Sequence, residues 1–239
     1  MAQFERRVLG GGMGRTLDRA AIDEGLRAYM LRVYNYMALG LAITGVVAYV
    51  AAKSGFYVSI AQTPLIWVVM LAPLGMVFLL SARIHKMSVG GAQIAFWTFA
   101  GLMGLSLSYI FLAYTGTSIT RVFLVTAGSF GALSLFGYTT RKDLSGWGSF
   151  LFMGLIGIIL ASLVNIFLAS SALQFAVSVI GVLVFAGLTA YDTQQIKEMY
   201  FEGDGTEVAG RKAIMGALRL YLDFINLFVM LLSLFGNRE

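Results

Sequence analysis

The chain has 239 residues, of which 59% are hydrophobic and only 12% are charged, and its mean hydropathy is +0.82. Soluble domains carry about 25% charged residues, so this composition excludes a soluble globular fold and predicts an all-α integral membrane protein. The absence of cysteine excludes disulfides and thiolate metal sites. The net charge of +5 is explained by basic loops at a membrane surface, and we expect no nucleic-acid partner.

The first 29 residues differ in composition from the rest of the chain. Residues 1–29 are polar and basic and contain a glycine patch over residues 10–14, but no long apolar run. The glycine spacing matches neither a dinucleotide-binding nor a P-loop motif, and no strand precedes it. We therefore predict a flexible basic cytoplasmic tail at residues 1–29, followed by a transmembrane domain at residues 30–239.

Seven apolar runs follow the tail. Each is about 20 residues or longer, which is enough for a helix to cross a hydrocarbon core of roughly 30 Å. The runs are continuously apolar rather than alternating, which argues against a β-barrel. The predicted spans are 30–52, 64–83, 92–115, 119–139, 147–168, 172–197 and 211–235.

The distribution of lysine and arginine predicts the orientation of the bundle. Most of these residues precede or open the first span, or lie in the loops after spans two, four and six. Only Lys53, Arg121 and Arg238 fall on the opposite side. Because cytoplasmic loops carry the excess of positive charge, we predict a cytoplasmic N-terminus and, after seven crossings, a C-terminus outside.

Two acidic residues in the last two spans are the main candidates for function. Asp192 lies toward the end of span six, and Asp223 lies about three turns into span seven. An ionised aspartate at the centre of a membrane helix costs about 2.5–3.5 kcal/mol, so such residues are rare and face a partner or water. A short loop joins the two spans, and we expect the two carboxyl groups to meet near the cytoplasmic side.

Two carboxyl groups in contact do not ionise together without a large cost, and they would share one proton. Such a pair is suited to sensing pH, closed while it shares the proton and open or cation-binding when ionised. Carboxylate oxygens also suit calcium, so Asp192 and Asp223 are a candidate weak calcium site. Beyond calcium as a permeant or weakly bound ion, no cofactor is expected.

Three further residues are candidates for supporting this pair. Arg219 precedes Asp223 by four residues on the same helical face, and it is either part of the site or a structural partner that neutralises Asp223. Arg83, at the cytoplasmic end of span two, is either a second cation for the site or an interfacial anchor. Asn226 follows Asp223 by three residues and extends the polar face.

Paired membrane aspartates also resemble those of intramembrane aspartyl proteases, which place a tyrosine–aspartate on one helix and a G-x-G-D motif on the next. The sequence contains Tyr191–Asp192, but the residues before Asp223 are Arg219, Leu220, Tyr221 and Leu222 rather than the required glycines. Two carboxyl groups are necessary for this chemistry and not sufficient. We therefore expect no enzymatic activity.

The seven spans, the segment Ala190–Gln194 (AYDTQ) and the segment Leu220–Phe228 (LYLDFINLF) together resemble the Bax inhibitor-1 family, in particular a bacterial inner-membrane member. The resemblance implies a bundle with the seventh helix central and a pH-sensitive calcium leak. It also implies a pH-sensing dyad, matched here by Asp192 and Asp223, and a second-helix arginine bonded to it, for which Arg83 is the nearest match.

The expected function is therefore a pH-sensitive calcium-permeable leak channel in the bacterial inner membrane, with the lipid bilayer, calcium and protons as partners. An alternative stays open, because some bacterial relatives are linked to inhibition of a membrane AAA protease. In that case the chain is a regulatory membrane protein that binds the protease through residues 1–29.

Overall fold

The computed structural model describes the backbone of residues 2–238 and the side chains of residues 23–238. Over this range the chain is almost entirely helical. The helices are α1 (Ala2–Lys53), α2 (Phe56–Ala61), α3 (Leu65–Arg83), α4 (Val89–Leu107), α5 (Ile110–Ala113), α6 (Gly116–Thr139), α7 (Ser145–Leu168), α8 (Ser171–Glu198) and α9 (Thr206–Phe235).

Seven helices in the described part of the chain are long and apolar enough to cross a membrane, as the sequence predicted. They lie at Asp23–Lys53, Leu65–Lys86, Val89–Ala113, Gly116–Thr139, Ser145–Leu168, Ser171–Glu198 and Thr206–Phe235. The all-α membrane architecture is therefore confirmed. The orientation across the membrane stays a prediction.

The predicted tail falls mostly outside the described side chains, which begin at residue 23. Residues 23–29, whose side chains are described, continue the helix of the first candidate span, so that span begins earlier than residue 30. Tyr29 is buried, and its ring packs on that of Tyr200 at 5.7 Å between centroids. The flexible tail stays a prediction for residues 1–22.

Several spans begin at side-chain caps. Ser88, Thr115 and Ser170 accept hydrogen bonds from backbone N–H groups in the first turns of α4, α6 and α8. The first N–H groups of a helix have no partner inside it, and a hydroxyl at the cap supplies one. Short polar segments between apolar runs thereby set the starts of three spans.

Helix α3 contains a proline in its interior, and α4 compensates for it. Pro73 has no N–H to donate to the carbonyl of Val69, four residues earlier. The hydroxyl of Ser106 on α4 donates to that carbonyl instead. Because an unpaired carbonyl is costly in lipid, this bond lets α3 keep its proline while it packs against α4.

The spans differ strongly in burial. In α9, 56% of the most apolar window is buried, against 11% in α3 and in α7. Helix α9 packs against α1, α4, α6 and α8, whereas α3 packs mainly on α4 and α7 mainly on α8. The seventh span therefore contributes more buried residues than any other described helix, and its fully buried residues include Ile214, Tyr221 and Leu227.

Candidate functional site

A cavity of about 700 Å³ lies between α7, α8 and α9. It is lined by apolar side chains of all three helices and by a cluster of polar ones. The polar and charged lining residues are Ser145, Ser149, Asp192, Arg219, Asp223 and Asn226. The structure thus gathers four of the five residues that the sequence singled out into one cavity, and Arg83 is the exception.

Helices α8 and α9 run antiparallel and in contact, which brings the two acids together. The contact extends from Ser178 and Ser233, whose hydroxyls are 3.1 Å apart, to Ile196 and Gly216 near the other end of the pair. Asp192 and Asp223 lie between these positions and line one cavity together, where their carboxyl groups act on each other electrostatically.

The surroundings of Asp223 are unusual for a carboxylate. Its residue is only 5% exposed, and Oδ2 is shielded and has no hydrogen-bond partner among the described residues. Asp192, its half-buried neighbour, only accepts hydrogen bonds when ionised and becomes a donor when it carries a proton. A single proton shared between the two groups would therefore satisfy a buried oxygen that otherwise lacks a donor.

Arg219 lies one helical turn before Asp223 and lines the same cavity. Its charge acts on both carboxyl groups, but the ion pairs within 4.0 Å in the described chain are Arg211–Glu207 and Lys212–Asp204. The direct structural pair with Asp223 that the sequence left open is thus not formed. Arg219 is exposed and acts on the acids across the cavity.

Asn226 lies one turn beyond Asp223, and its Nδ2 donates to the carbonyl of Leu222 at 2.8 Å. This bond holds the side chain along α9 and leaves the amide oxygen for another partner. No group of three or more His, Cys, Asp or Glu side chains in the described residues is arranged to hold a metal. Calcium takes 6–8 oxygen ligands, so a site on Asp192 and Asp223 would be weak and completed by water and neutral oxygens.

Arg83 is not brought to this site. It is exposed at the end of α3, does not line the cavity, and belongs to a helix that packs mainly on α4. The hydrogen bonds and ion pairs of the described residues do not include its guanidinium reaching either aspartate. The position fits the alternative reading of an interfacial anchor, because a long basic side chain at a helix end extends toward the headgroups.

The residues around Asp192 hold the cavity wall, a role that the sequence did not predict. Gln194 accepts a hydrogen bond from the N–H of Leu144 at 2.8 Å and donates to the carbonyl of Lys142 at 2.9 Å. It thereby fixes the loop that begins α7. Tyr191 places its hydroxyl against Gly148 of α7, where a Cβ would lie 2.6 Å from that oxygen. The segment around Asp192 therefore positions α7 against α8.

A chain of hydroxyls joins α8 to α6 and α1 beside Asp192. Thr193 donates to the carbonyl of Thr189 at 2.7 Å and lies 2.8 Å from the hydroxyl of Ser134, which is 2.6 Å from that of Tyr34. Since the Thr193 proton is used on the carbonyl, Ser134 donates to Thr193 and Tyr34 donates to Ser134. The sequence signal for this chain of hydroxyls was Thr193, a polar residue next to Asp192 in an otherwise apolar helix.

Helix α9 is held two residues before Asp223 by a second buried network. The hydroxyl of Tyr221 lies 2.6 Å from that of Thr44 on α1, and Thr44 donates to the carbonyl of Ala100 on α4 at 2.8 Å. The Tyr221 ring also packs edge-on against Phe96 and Phe99. The carboxyl group of Asp223 is therefore carried by a helix whose rotation is fixed from the opposite face.

Comparison with known proteins identifies the family of this chain. Residues 26–239 match the family model described as "Inhibitor of apoptosis-promoting Bax1". The chain is 51% identical over 219 residues to the inner membrane protein YbhL of Escherichia coli (strain K12), covering 90% of this chain and 94% of YbhL. It is 52% identical over 225 residues to the protein RP147 of Rickettsia prowazekii, covering 94% and 95% of the two chains.

A membrane protein of Streptococcus pyogenes is similar at a lower level, with 35% identity over 221 residues, 91% of this chain and 96% of that protein. The match to an inner membrane protein agrees with the seven candidate spans and indicates a multi-pass protein of the inner membrane. Family match, relatives and helical architecture converge, and the chain belongs to the Bax inhibitor-1 family.

Proposed function

We propose that this protein is a pH-sensitive calcium-permeable leak channel, gated by Asp192 and Asp223 near the cytoplasmic end of a bundle built around α9. The proposal takes the N-terminus to be cytoplasmic and the C-terminus to be outside, as the basic loops predict. Membership of the Bax inhibitor-1 family and the cavity between α7, α8 and α9 both support it.

The observation that carries the proposal is the buried oxygen of Asp223 without a donor, beside a second carboxyl group. Such an oxygen is tolerated when the neighbouring group holds a proton and is destabilising when both groups are ionised, because like charges in contact repel. The contact between α8 and α9 therefore has two arrangements, and the gain or loss of a single proton selects between them.

In the protonated arrangement Asp192 and Asp223 hold α8 against α9. This contact closes the path from the cavity to the opposite end of the helix bundle. Loss of the proton replaces a hydrogen bond with a repulsion in a space of low dielectric, which drives the helices apart. Arg219 moderates the repulsion from across the cavity. The ionised pair then faces water and offers oxygen ligands to a cation.

Calcium fits this site as a passing ion rather than a resident one. Two carboxylates and the free amide oxygen of Asn226 supply fewer oxygens than calcium takes, so water completes the shell. Conduction requires a site that binds strongly enough for the ion to enter and weakly enough for it to leave. A pair of acids with few fixed partners meets both conditions.

Calcium influx into liposomes that contain the full chain tests the proposal. Wild-type flux is expected to rise with pH as the pair loses its proton. Asp223→Asn removes one acid while keeping the shape of the side chain, and Asp192→Asn does the same on the other helix. Both variants are expected to change the flux and to flatten its dependence on pH, measured with an entrapped calcium indicator.

Glu207→Gln is the matched control, because it makes the same chemical change on α9 outside the cavity, at an acid that pairs with Arg211. It is expected to keep the wild-type pH dependence. Unchanged flux curves in both aspartate variants would remove the pair from the mechanism. A wild-type protein with no flux at all would favour the alternative, a regulator of a membrane protease that acts through its N-terminal residues.

A further inference from the structure

A lipid-facing groove separates α1 from α6 at the end of the bundle that contains Asp192. It has a volume of about 600 Å³, which is within the range of about 300–1,000 Å³ that ligand pockets occupy. Its walls are apolar, with Met30 and Met37 from α1 and Phe130 and Leu135 from α6. The groove is independent of the acid-lined cavity, with which it shares no lining residue.

The groove lies where α1 and α6 make little direct contact. Helix α1 packs mainly on α4 and α9, and α6 packs mainly on α8 and α9. Helices α1 and α6 are joined across the floor of the groove by the hydrogen bond between the hydroxyls of Tyr34 and Ser134. Gly131 leaves the α6 wall open, since a Cβ there would meet no atom within 4 Å.

An apolar groove on the side of a membrane helix bundle is open to lipid chains rather than to water. Leaving it empty would forfeit the dispersion contacts that its lining could make. Along α1 the groove extends from Arg27 to Met37, a rise of roughly 15 Å. That is half of a hydrocarbon core of about 30 Å, so the groove has the length of an acyl chain in one leaflet.

The end of the groove nearest the membrane surface carries a positive charge. Arg27 is exposed at this mouth and has no ion pair among the described residues. The acids nearest to it along α1 are Asp23 and Glu24, about one turn earlier, and both are exposed. Tyr138 lines the same groove from α6. A phosphate at headgroup level would therefore meet a guanidinium directly above an apolar slot.

We infer that this groove is a binding site for a phospholipid with an anionic headgroup, with one acyl chain between α1 and α6 and the phosphate on Arg27. The charge on Arg27 selects the headgroup, and the length and apolar walls of the groove select a chain of the same leaflet. The inference does not depend on the proposed channel activity, because none of these residues lines the acid-lined cavity.

Two matched pairs of variants test the site. Arg27→Gln removes the charge at the mouth, and Arg32→Gln removes an exposed charge of α1 that does not line the groove. Gly131→Leu fills the groove from α6, and Gly128→Leu places the same side chain at another α6 glycine with open space around it, outside the groove. Both leucine variants gain helix propensity equally.

Native mass spectrometry of the full chain, with phosphatidylglycerol or phosphatidylcholine added to the detergent, measures bound lipid. The wild type is expected to retain one phosphatidylglycerol in preference to phosphatidylcholine. Arg27→Gln is expected to weaken phosphatidylglycerol binding by about fivefold, which corresponds to one basic residue near a lipid surface. It is expected to weaken phosphatidylcholine binding less, because the choline cation offsets the charge of that lipid's phosphate. Gly131→Leu is expected to abolish retention of both lipids, while Arg32→Gln and Gly128→Leu bind as the wild type does.

Equal losses in Arg27→Gln and Arg32→Gln would show general attraction of lipid to a basic surface and would overturn the site. Retention of the lipid by Gly131→Leu would also overturn it. A wild-type dimer in the same spectra that Gly131→Leu dissociates would assign the groove to a second copy of the chain instead. Because Arg27 is exposed, Arg27→Gln keeps the test decisive even if Gly131→Leu does not fold.

Discussion

The cavity between α7, α8 and α9 that holds the two aspartates has a counterpart at the opposite end of the bundle. That second cavity, of about 540 Å³, is lined by hydroxyl and amide side chains and one cation. Its polar lining includes Tyr109, Asn165, Gln174, Ser178 and Arg238, and the described lining contains no carboxyl group. The two cavities are similar in size, but only the one between α7, α8 and α9 is lined by carboxyl groups among the described residues.

This difference determines which end can respond to protons. Ser178 donates to the carbonyl of Gln174 at 2.8 Å and contacts the hydroxyl of Ser233 at 3.1 Å. Such bonds between neutral groups do not depend on pH. Under the proposed function, Asp192 and Asp223 bond to each other only while one proton is present. On that proposal the same helix pair, α8 and α9, has a pH-independent contact at one end and a proton-dependent contact at the other.

The largest expected effect comes from breaking the packing that supports the acidic end. Gly137 of α6 lies so close to α8 that a Cβ would overlap the backbone carbonyl of Ala190. Gly137→Ala is expected to destabilise the protein by about 3 kcal/mol, since backbone atoms cannot rotate out of the way. Unfolding in mixed micelles measures the change.

Gly128→Ala is the matched control on the same helix, because a Cβ at that glycine meets no atom within 4 Å. It is expected to leave stability unchanged or to raise it slightly, since alanine is the better helix former. Equal stabilities of the two alanine variants would mean that α6 and α8 are not in close contact near Asp192, and the comparison between the two ends would lose its structural basis.

A smaller effect is expected from Gln194, which fixes the start of α7 beside the acidic cavity. Gln194→Leu leaves the N–H of Leu144 and the carbonyl of Lys142 without their partner. The expected loss of stability is about 1–2 kcal/mol, with faster proteolysis of the loop at residues 140–144. Gln195→Leu, at the adjacent position whose side chain contacts Glu198, should cause neither change; equal cleavage of both variants would contradict the proposed clamp.

The smallest effect concerns an acid outside the spans, on the loop that Gln194 holds. The hydroxyl and the backbone N–H of Ser145 hold the pKa of Asp143 below its usual value. Its contribution to stability is therefore present above the pKa of the unfolded chain and is lost as the pH falls through the lower folded value. Ser145→Ala should move the pKa of Asp143 back toward normal, as NMR titration of labelled aspartate would detect; an unchanged titration would contradict the assigned cause.

The sequence predicted the membrane architecture because long apolar runs have few other structures available in lipid. It also indicated the two aspartates, since charges in such runs are costly. It did not indicate that Gln194 clamps a loop about 50 residues away along the chain or that Ser106 replaces the missing donor of Pro73. Those bonds join distant segments, and neither partner is exceptional in its own segment.

Arg83 is a residue that the sequence singled out but that the structure does not bring to the site. A basic residue at the end of the second span was equally consistent with the site and with the membrane surface, and only the packing of α3 on α4 separates the two. Arg219 was found by its spacing of four residues from Asp223, yet the spacing did not reveal that its guanidinium remains beyond 4.0 Å from the acid. Spacing on one helix predicts a shared face but not a contact.

Infrared spectroscopy of the full chain with isotope-labelled aspartate tests whether Asp192 and Asp223 hold one proton between them. We predict a protonated-carboxyl band that disappears as pH rises and that is lost or shifted in both Asp192→Asn and Asp223→Asn. A band that disappears in Asp223→Asn but persists unshifted in Asp192→Asn would mean that Asp223 carries its own proton, and it would contradict the shared pair.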